Sequence, residues 1–140
     1  MKITGDFKLT NGVITIGVNS MGAELTNLRS EQAGMEYLWE ADPKFWGKHA
    51  PVLFPIVGAL KDNTYTYQGR TYHMNQHGLA RTMRFDEAAI TDHSISFRLR
   101  FTEETLQHYP FKFELFIDYE LAGNKICARY KVRNLDSALM

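Results

Sequence analysis

The chain has 140 residues, enough for one domain with a substantial core. Its 16 Lys and Arg balance 16 Asp and Glu, which argues against a nucleic-acid footprint or an electrostatic membrane anchor. A single cysteine, Cys127, excludes an intrachain disulfide and a cysteine-pair zinc site, and no apolar run approaches the roughly 20 residues that span a bilayer. The opening Met1-Lys2-Ile3-Thr4-Gly5-Asp6 lacks the apolar core of a signal peptide, so a cytoplasmic location is expected.

In chain order, residues 7–10 and 12–18 alternate apolar and polar around Asn11-Gly12, which predicts a hairpin with a two-residue turn. Residues 22–28 and 35–39 read as short strands, and residues 42–47 as an aromatic-rich turn. The apolar run 52–57 contains Pro55 and is closed by Gly58. Without an N–H at Pro55 it is neither a central strand nor a helix interior. Residues 64–67 and 70–74 flank Gln68-Gly69 as a second hairpin. Residues 84–91 and 94–102 flank Asp92-His93, with Ile95, Phe97, Leu99 and Phe101 on one face. Residues 103–108 suit one helical turn. Phe111, Phe113, Leu115, Ile117 and Tyr119 then alternate with Lys112, Glu114, Phe116 and Asp118, and residues 126–132 return after a turn at 122–125. Nine or ten strands and no long helix predict an all-β antiparallel sandwich, a single domain over residues 1–140.

The residues able to do chemistry gather between His49 and Arg81. His77 sits beside Gly78 and four residues before Arg81. Its two readings are an exposed turn histidine and a hydrogen-bond donor or general acid at a cleft. Gly78 would let backbone and ligand approach closely, and Arg81 would grip an oxygen-rich ligand or stand as a surface cation. His49 reads as a cap on the apolar run. His73 stands four residues before His77, but on strand and turn rather than helix, so no metal site is expected. His93 and His108 read as solvated. Trp39, Phe45, Trp46, Tyr65, Tyr67 and Tyr72 divide between core packing and a platform for the apolar face of a sugar ring, with Trp46 a candidate for the platform. There is no phosphate loop and no Gly-x-Ser-x-Gly, and Cys127 lies in a predicted strand with nothing to activate it.

Taken together, several stretches resemble the aldose 1-epimerase (galactose mutarotase-like) family, in its bacterial branch with a His-Gly-aromatic-Ala-Arg motif. They are Gly22-Ala23-Glu24-Leu25, the segment from Trp39 to Trp46, and His49-Ala50-Pro51-Val52-Leu53-Phe54-Pro55-Ile56-Val57-Gly58. The hairpin from Tyr65 to Tyr72, His77-Gly78-Leu79-Ala80-Arg81, Tyr109-Pro110-Phe111 and Val132-Arg133-Asn134 complete the set. The resemblance implies a mutarotase-type supersandwich and interconversion of the α and β anomers of a free sugar without a cofactor. A base takes the C1 hydroxyl proton while an acid protonates the ring oxygen, and the opened ring closes on the other face. By position, His77 matches the first of two active-site histidines and Arg81 a pocket-wall arginine. Two positions depart from the family pattern. Ala59 stands where an arginine often contacts the sugar, with Lys61 the nearby substitute cation, and Leu79 replaces the commoner Phe. The family's second histidine, in a Gly-His-Pro motif, and its glutamate base are absent from these 140 residues. The resemblance therefore implies the N-terminal half of a mutarotase-like sandwich, incomplete and inactive alone, with self-association expected through exposed sheet edges. Two alternatives remain open: a non-catalytic carbohydrate-binding module, and a hexose 6-phosphate 1-epimerase with Arg81 and Lys61 or Arg84 near the phosphate.

Overall fold

The computed structural model describes residues 3–140, so Met1 and Lys2, the start of the segment read as lacking a signal-peptide core, lie outside it. Ten strands and one short helix follow the alternation of the sequence. Strands β1 (Phe7–Thr10), β2 (Ile14–Val18), β3 (Leu25–Ser30) and β4 (Met35–Glu36) form one antiparallel sheet in that order. Strands β7 (Asp86–Ile90), β8 (Ser94–Arg100), β9 (Phe113–Ala122) and β10 (Lys125–Asn134) form a second, ordered β10-β9-β8-β7. Between them in sequence, β5 (Thr64–Tyr67) and β6 (Arg70–His73) make an isolated hairpin, and helix α1 (Glu103–His108) joins β8 to β9. The expected antiparallel sandwich is present.

The core lies between the inner faces of the two large sheets. Ile95, Phe97 and Leu99 of β8 and Phe113, Leu115, Ile117, Tyr119 and Leu121 of β9 pack toward Leu9, Ile14, Ile16 and Val18. Phe7 meets Phe97 edge-on, with ring centroids 5.3 Å apart. Truncating a fully buried phenyl such as Phe97 or Phe113 to Ala typically costs about 3–5 kcal/mol. The Tyr119 hydroxyl crosses the core and donates to the Ala23 carbonyl at 2.9 Å. Burial pushes this phenol far above its ordinary range, so it remains a donor.

Three boundaries differ from the pattern reading, each for a local reason. In the first hairpin the Asn11 N–H donates to the Ile14 carbonyl at 3.3 Å beyond the Thr10–Thr15 pair, so the two-residue turn falls on Gly12-Val13, one residue later than expected. The Asn11 side chain accepts from the N–H groups of Val13 and Ile14 at 3.1 and 3.0 Å and braces that turn. Strand β3 starts at Leu25 rather than residue 22, because Gly22 and Ala23 both hold positive φ. Strand β4 stops at Glu36. The Tyr37 N–H still donates to the Leu28 carbonyl at 2.8 Å, but the Glu36 carboxylate accepts from the N–H groups of Leu28 and Leu38 and so takes donors the ladder would use. Helix α1 forms where expected, because Thr102 and Thr105 make a reciprocal cap: each side chain bonds the other's backbone.

Candidate functional site

Segment 49–58 is tethered at both ends to residues that the sequence singles out. At the entry end, the buried Glu24 carboxylate accepts from the N–H groups of His49 and Ala50 at 2.8 and 3.0 Å. His49 also reaches the Trp39 carbonyl through Nδ1 at 2.8 Å, and Trp39 Nε1–H donates to the Trp46 carbonyl at 2.8 Å. His49 is therefore a bridge to the aromatic loop rather than a simple cap. Glu24 is the residue that pattern reasoning missed. Its only signal was its place inside Gly22-Ala23-Glu24-Leu25, which propensity treats as an ordinary strand.

At the exit end, His77 closes onto Gly58. The His77 N–H donates to the Gly58 carbonyl at 2.8 Å, and the Gly58 N–H donates to His77 Nδ1 at 2.9 Å. A ring nitrogen that accepts a hydrogen bond carries no proton. The neutral imidazole therefore has its proton on Nε2, which becomes a donor. His77 is half-buried and holds φ at 66°, so a left-handed backbone turns its ring toward Gly58. The bland reading of His77 as an unengaged turn residue does not describe this geometry.

Gly78 serves a different end from the one expected. The Phe54 carbonyl accepts from the N–H groups of both Leu79 and Ala80, at 2.7 and 3.2 Å. A Cβ on Gly78 would lie 2.3 Å from that same carbonyl oxygen, and Gly78 holds φ at +77°. The absence of a side chain thus permits a backbone-to-backbone crossing over the cis Phe54-Pro55 bond. Close approach is real here, but its partner is the protein's own carbonyl.

The remaining candidates sit around this crossing. Arg81 is in a short 3-10 turn, Ala80–Thr82, and is half-buried with its Nε atom enclosed and without a hydrogen-bond partner. Its backbone packs on Gly22, where a Cβ would lie 3.1 Å from the Arg81 carbonyl oxygen. Arg84, by contrast, is committed: Nη1 donates to Ser20 Oγ at 2.6 Å, beside Asp6. Lys61 stands exposed on the 3-10 turn Lys61–Asn63 and makes no ion pair among the described residues. Ala59 is exposed between Gly58 and Leu60. No hydrogen bond joins Trp46 or Lys61 to His77 among the described residues. They share only their attachment to the region of segment 49–58 and the turn after it.

The aromatic set divides in two. Tyr65 stacks on Tyr72 at 5.4 Å and Tyr67 meets Phe111 at 5.0 Å, so these serve packing. Trp39, Phe45 and Trp46 stay 40%, 79% and 50% exposed, and they alone of the six could face a ligand broadly. Tyr65 donates to the His108 carbonyl at 2.8 Å, and burial, then the neighbouring Tyr109 and Tyr72, push its phenol up to about 12. It is held protonated and is no base near neutral pH. His73 and His108 meet edge to face, with His108 Nδ1 at the His73 carbonyl, and His93 is exposed in its turn. Two cavities border the crossing. One of about 310 Å³ is lined by Asn75, Leu79, Thr82, Met83, Glu104 and His108 among others. The other, about 230 Å³, is apolar and lined by Pro55, Ile56, Leu60, Tyr65, Met74 and Tyr109.

The aldose 1-epimerase family model matches residues 6–140. The chain belongs to the aldose 1-epimerase family. Two curated relatives, the plasmid and chromosomal LacX proteins of Lactococcus lactis subsp. lactis, are each 33% identical over 135 residues, covering 93% of this chain and 45% of the relative. Among solved structures, a galactose mutarotase related enzyme from Lactobacillus acidophilus superposes with a TM-score of 0.89 at 44% identity, over 91% of this chain and 43% of that one. A galactose mutarotase-like protein from Lactobacillus casei superposes with a TM-score of 0.91 at 35% identity, over 94% and 45%. The chain thus spans about half the length of the curated relatives it matches, 45% of each, and corresponds to the N-terminal half of the family fold. No helix among the described residues is long and apolar enough to cross a membrane.

Proposed function

We propose that this chain, one domain over residues 1–140, carries the His77 half of an aldose 1-epimerase site and binds the hemiacetal end of a free aldose. The observation behind the proposal is the Gly58 N–H bond to His77 Nδ1 at 2.9 Å. It leaves Nε2–H free to donate, and a pyranose ring oxygen is an acceptor. Donation there draws charge off the C1–O5 bond, which must break for the ring to open. In an intact site a base would remove the C1 hydroxyl proton at the same time. The step is redox-neutral: the O–H bond at C1 breaks and its electron pair forms the aldehyde C=O, the C1–O5 bond breaks with its pair going to O5, and O5 takes a proton from the acid of an intact site while His77 holds it by a hydrogen bond. Rotation about C1–C2 followed by reclosure gives the other anomer. Arg81 would form part of the pocket wall, and Trp46 would offer a ring face to the sugar's C–H side. A cytoplasmic location suits a free monosaccharide substrate.

Two measurements separate the readings. Titration with a methyl glycoside, which cannot open, detects binding alone. Polarimetry on freshly dissolved α-glucose or α-galactose detects turnover. The proposal expects saturable binding by the isolated chain and a mutarotation rate equal to buffer, as the resemblance implies for a chain without the Gly-His-Pro histidine and the glutamate base. Acceleration by this chain alone would overturn the assignment of the base outside residues 1–140. Absence of glycoside binding would overturn the site itself. A non-catalytic binding module is the outcome if no longer form bearing these residues turns sugar over. The unpartnered Nε of Arg81 and the free ammonium of Lys61 favour one further reading, a sugar phosphate. Arg84 is already spent on Ser20 and adds nothing to it. Tighter binding of glucose 6-phosphate than of glucose, lost in Arg81→Gln, would support that substrate class.

A further inference from the structure

The cleft between residues 75–83 and helix α1 has no part in the sugar site. It encloses about 310 Å³, and none of His77, Arg81 or segment 49–58 lines it. Asn75, Leu79, Thr82 and Met83 form one wall. Glu104 and His108, four residues apart and so neighbours on one face of α1, form the other. Every lining residue lies within 75–108, away from both ends of the chain and from β10. The volume is at the small end of the range for small-molecule sites.

The polar side chains of the cleft are unequal in donors and acceptors. His108 Nδ1 lies 2.9 Å from the His73 carbonyl, which can only accept, so Nδ1 carries a proton and the neutral ring keeps a lone pair at Nε2. The Thr82 hydroxyl gives its proton to the Leu79 carbonyl at 3.0 Å, and its oxygen is left to accept. Thr105 Oγ1 is already spent at the α1 cap, donating to the Thr102 carbonyl and accepting from the Thr102 N–H. Glu104 makes no ion pair among the described residues. Among the lining side chains only the Asn75 amide brings a free donor, and neither lysine nor arginine is present. Leu79 and Met83 add an apolar surface. An acceptor-rich cleft with one uncompensated carboxylate disfavours phosphates and carboxylates and suits a ligand rich in donors.

We infer that this cleft binds a small polyhydroxylated ring carrying one protonated amine. The ammonium would meet the Glu104 carboxylate, ring hydroxyls would donate to His108 Nε2 and Thr82 Oγ1, and the C–H face would lie on Leu79 and Met83. Glu104 is exposed, so the charge pair adds a modest, salt-sensitive preference rather than most of the affinity. The inference uses none of the groups assigned to the aldose and does not depend on that assignment.

The test titrates the full chain with scyllo-inosamine, scyllo-inositol and quinate, three hydroxylated rings that carry an ammonium, no charge and a carboxylate. None has a hemiacetal, so none is an aldose. Calorimetry gives affinity, and amide chemical shifts give the place of binding. Scyllo-inosamine is expected to bind at least about fivefold tighter than scyllo-inositol, with quinate weakest and the gap narrowing in 1 M salt. Shifts should centre on residues 75–83 and 104–108. Glu104→Gln keeps the side-chain size and should bring scyllo-inosamine down to the scyllo-inositol value at an unchanged melting midpoint. Glu103→Gln, on the same helix but outside the lining, should keep the preference. Equal affinity for the charged and neutral rings would overturn the inference, as would a preference that survives in Glu104→Gln or falls equally in Glu103→Gln. Absence of saturable scyllo-inosamine binding, shifts centred elsewhere, or displacement by methyl β-galactoside would overturn it as well. Failure on any of these counts leaves the reading of His77 untouched.

Discussion

His77 combines two properties that separate under mutation: an acceptor at Nδ1 that closes the loop, and a donor at Nε2 that this bond leaves free. His77→Ala removes both and strands the half-buried Gly58 N–H, so it is expected to lower stability as well as affinity. His77→Asn keeps a short acceptor near the Nδ1 position, on a residue that tolerates the left-handed backbone, and lacks the outer donor. It should stay folded while glycoside affinity falls by the worth of one hydrogen bond, about 0.5–1.5 kcal/mol. Melting midpoints and titrations of both variants, beside His93→Ala as a surface control, read the two effects separately. In a complete enzyme, loss of the same donor should slow turnover by about 10²–10⁴-fold. Asp6 offers a second residue-scale test. Hydrogen bonds from the Ser20 hydroxyl and N–H, with Arg84 nearby, hold its carboxyl below the ordinary 3.8 against a smaller opposing effect of burial. A depressed folded value means that this contribution is complete above pH 3.8 and is lost as pH falls through the folded value. Thermal melts from pH 7 to pH 2 should show Asp6→Asn losing less stability on acidification than the parent chain.

At the scale of elements, Glu24 and Gly78 hold the two ends of segment 49–58. Glu24→Ala should leave the His49 and Ala50 N–H groups unsatisfied and cost on the order of 1–3 kcal/mol, read by urea unfolding against Glu40→Ala on the exposed surface. Gly78→Ala combines a forbidden contact with the Phe54 carbonyl and a positive φ, and is expected to cost more than about 1 kcal/mol. Neither role could be read from pattern. The alternation of Ile95, Phe97 and Leu99, and of Phe113 to Tyr119, announces β8 and β9, because one face of each strand is buried and period two is then obligatory. The Gln68-Gly69 turn and the Thr102 cap are likewise local signals. What eluded pattern reading was the set of long-range polar bonds. The Glu24 tether spans 25 residues and the Gly58 bond to His77 spans 19. Such partners are chosen by the fold and leave no periodicity behind. The Asn11 loop and the early end of β4 eluded it for the same reason, since in each a side chain takes over a backbone hydrogen-bonding role. His77, Arg81, Lys61 and Trp46 were named from residue type and family resemblance. Only the structure ties His77 to Gly58 and shows the enclosed Nε of Arg81.

At the scale of the molecule, the protein is a two-sheet sandwich whose core lies between the sheets. The chain covers 43–45% of its longer structural relatives. The proposed site requires His77 to present Nε2–H to a sugar oxygen, and that tautomer can be read directly. A long-range proton–nitrogen spectrum of the chain with ¹⁵N-labelled histidine, recorded with and without methyl β-galactoside, distinguishes the two ring nitrogens. An unprotonated Nδ1 and a protonated Nε2 are expected for His77 in the free chain, with the Nε2 resonance moving on titration. A proton on Nδ1, or a His77 signal unmoved by saturating glycoside while another histidine shifts, would contradict it.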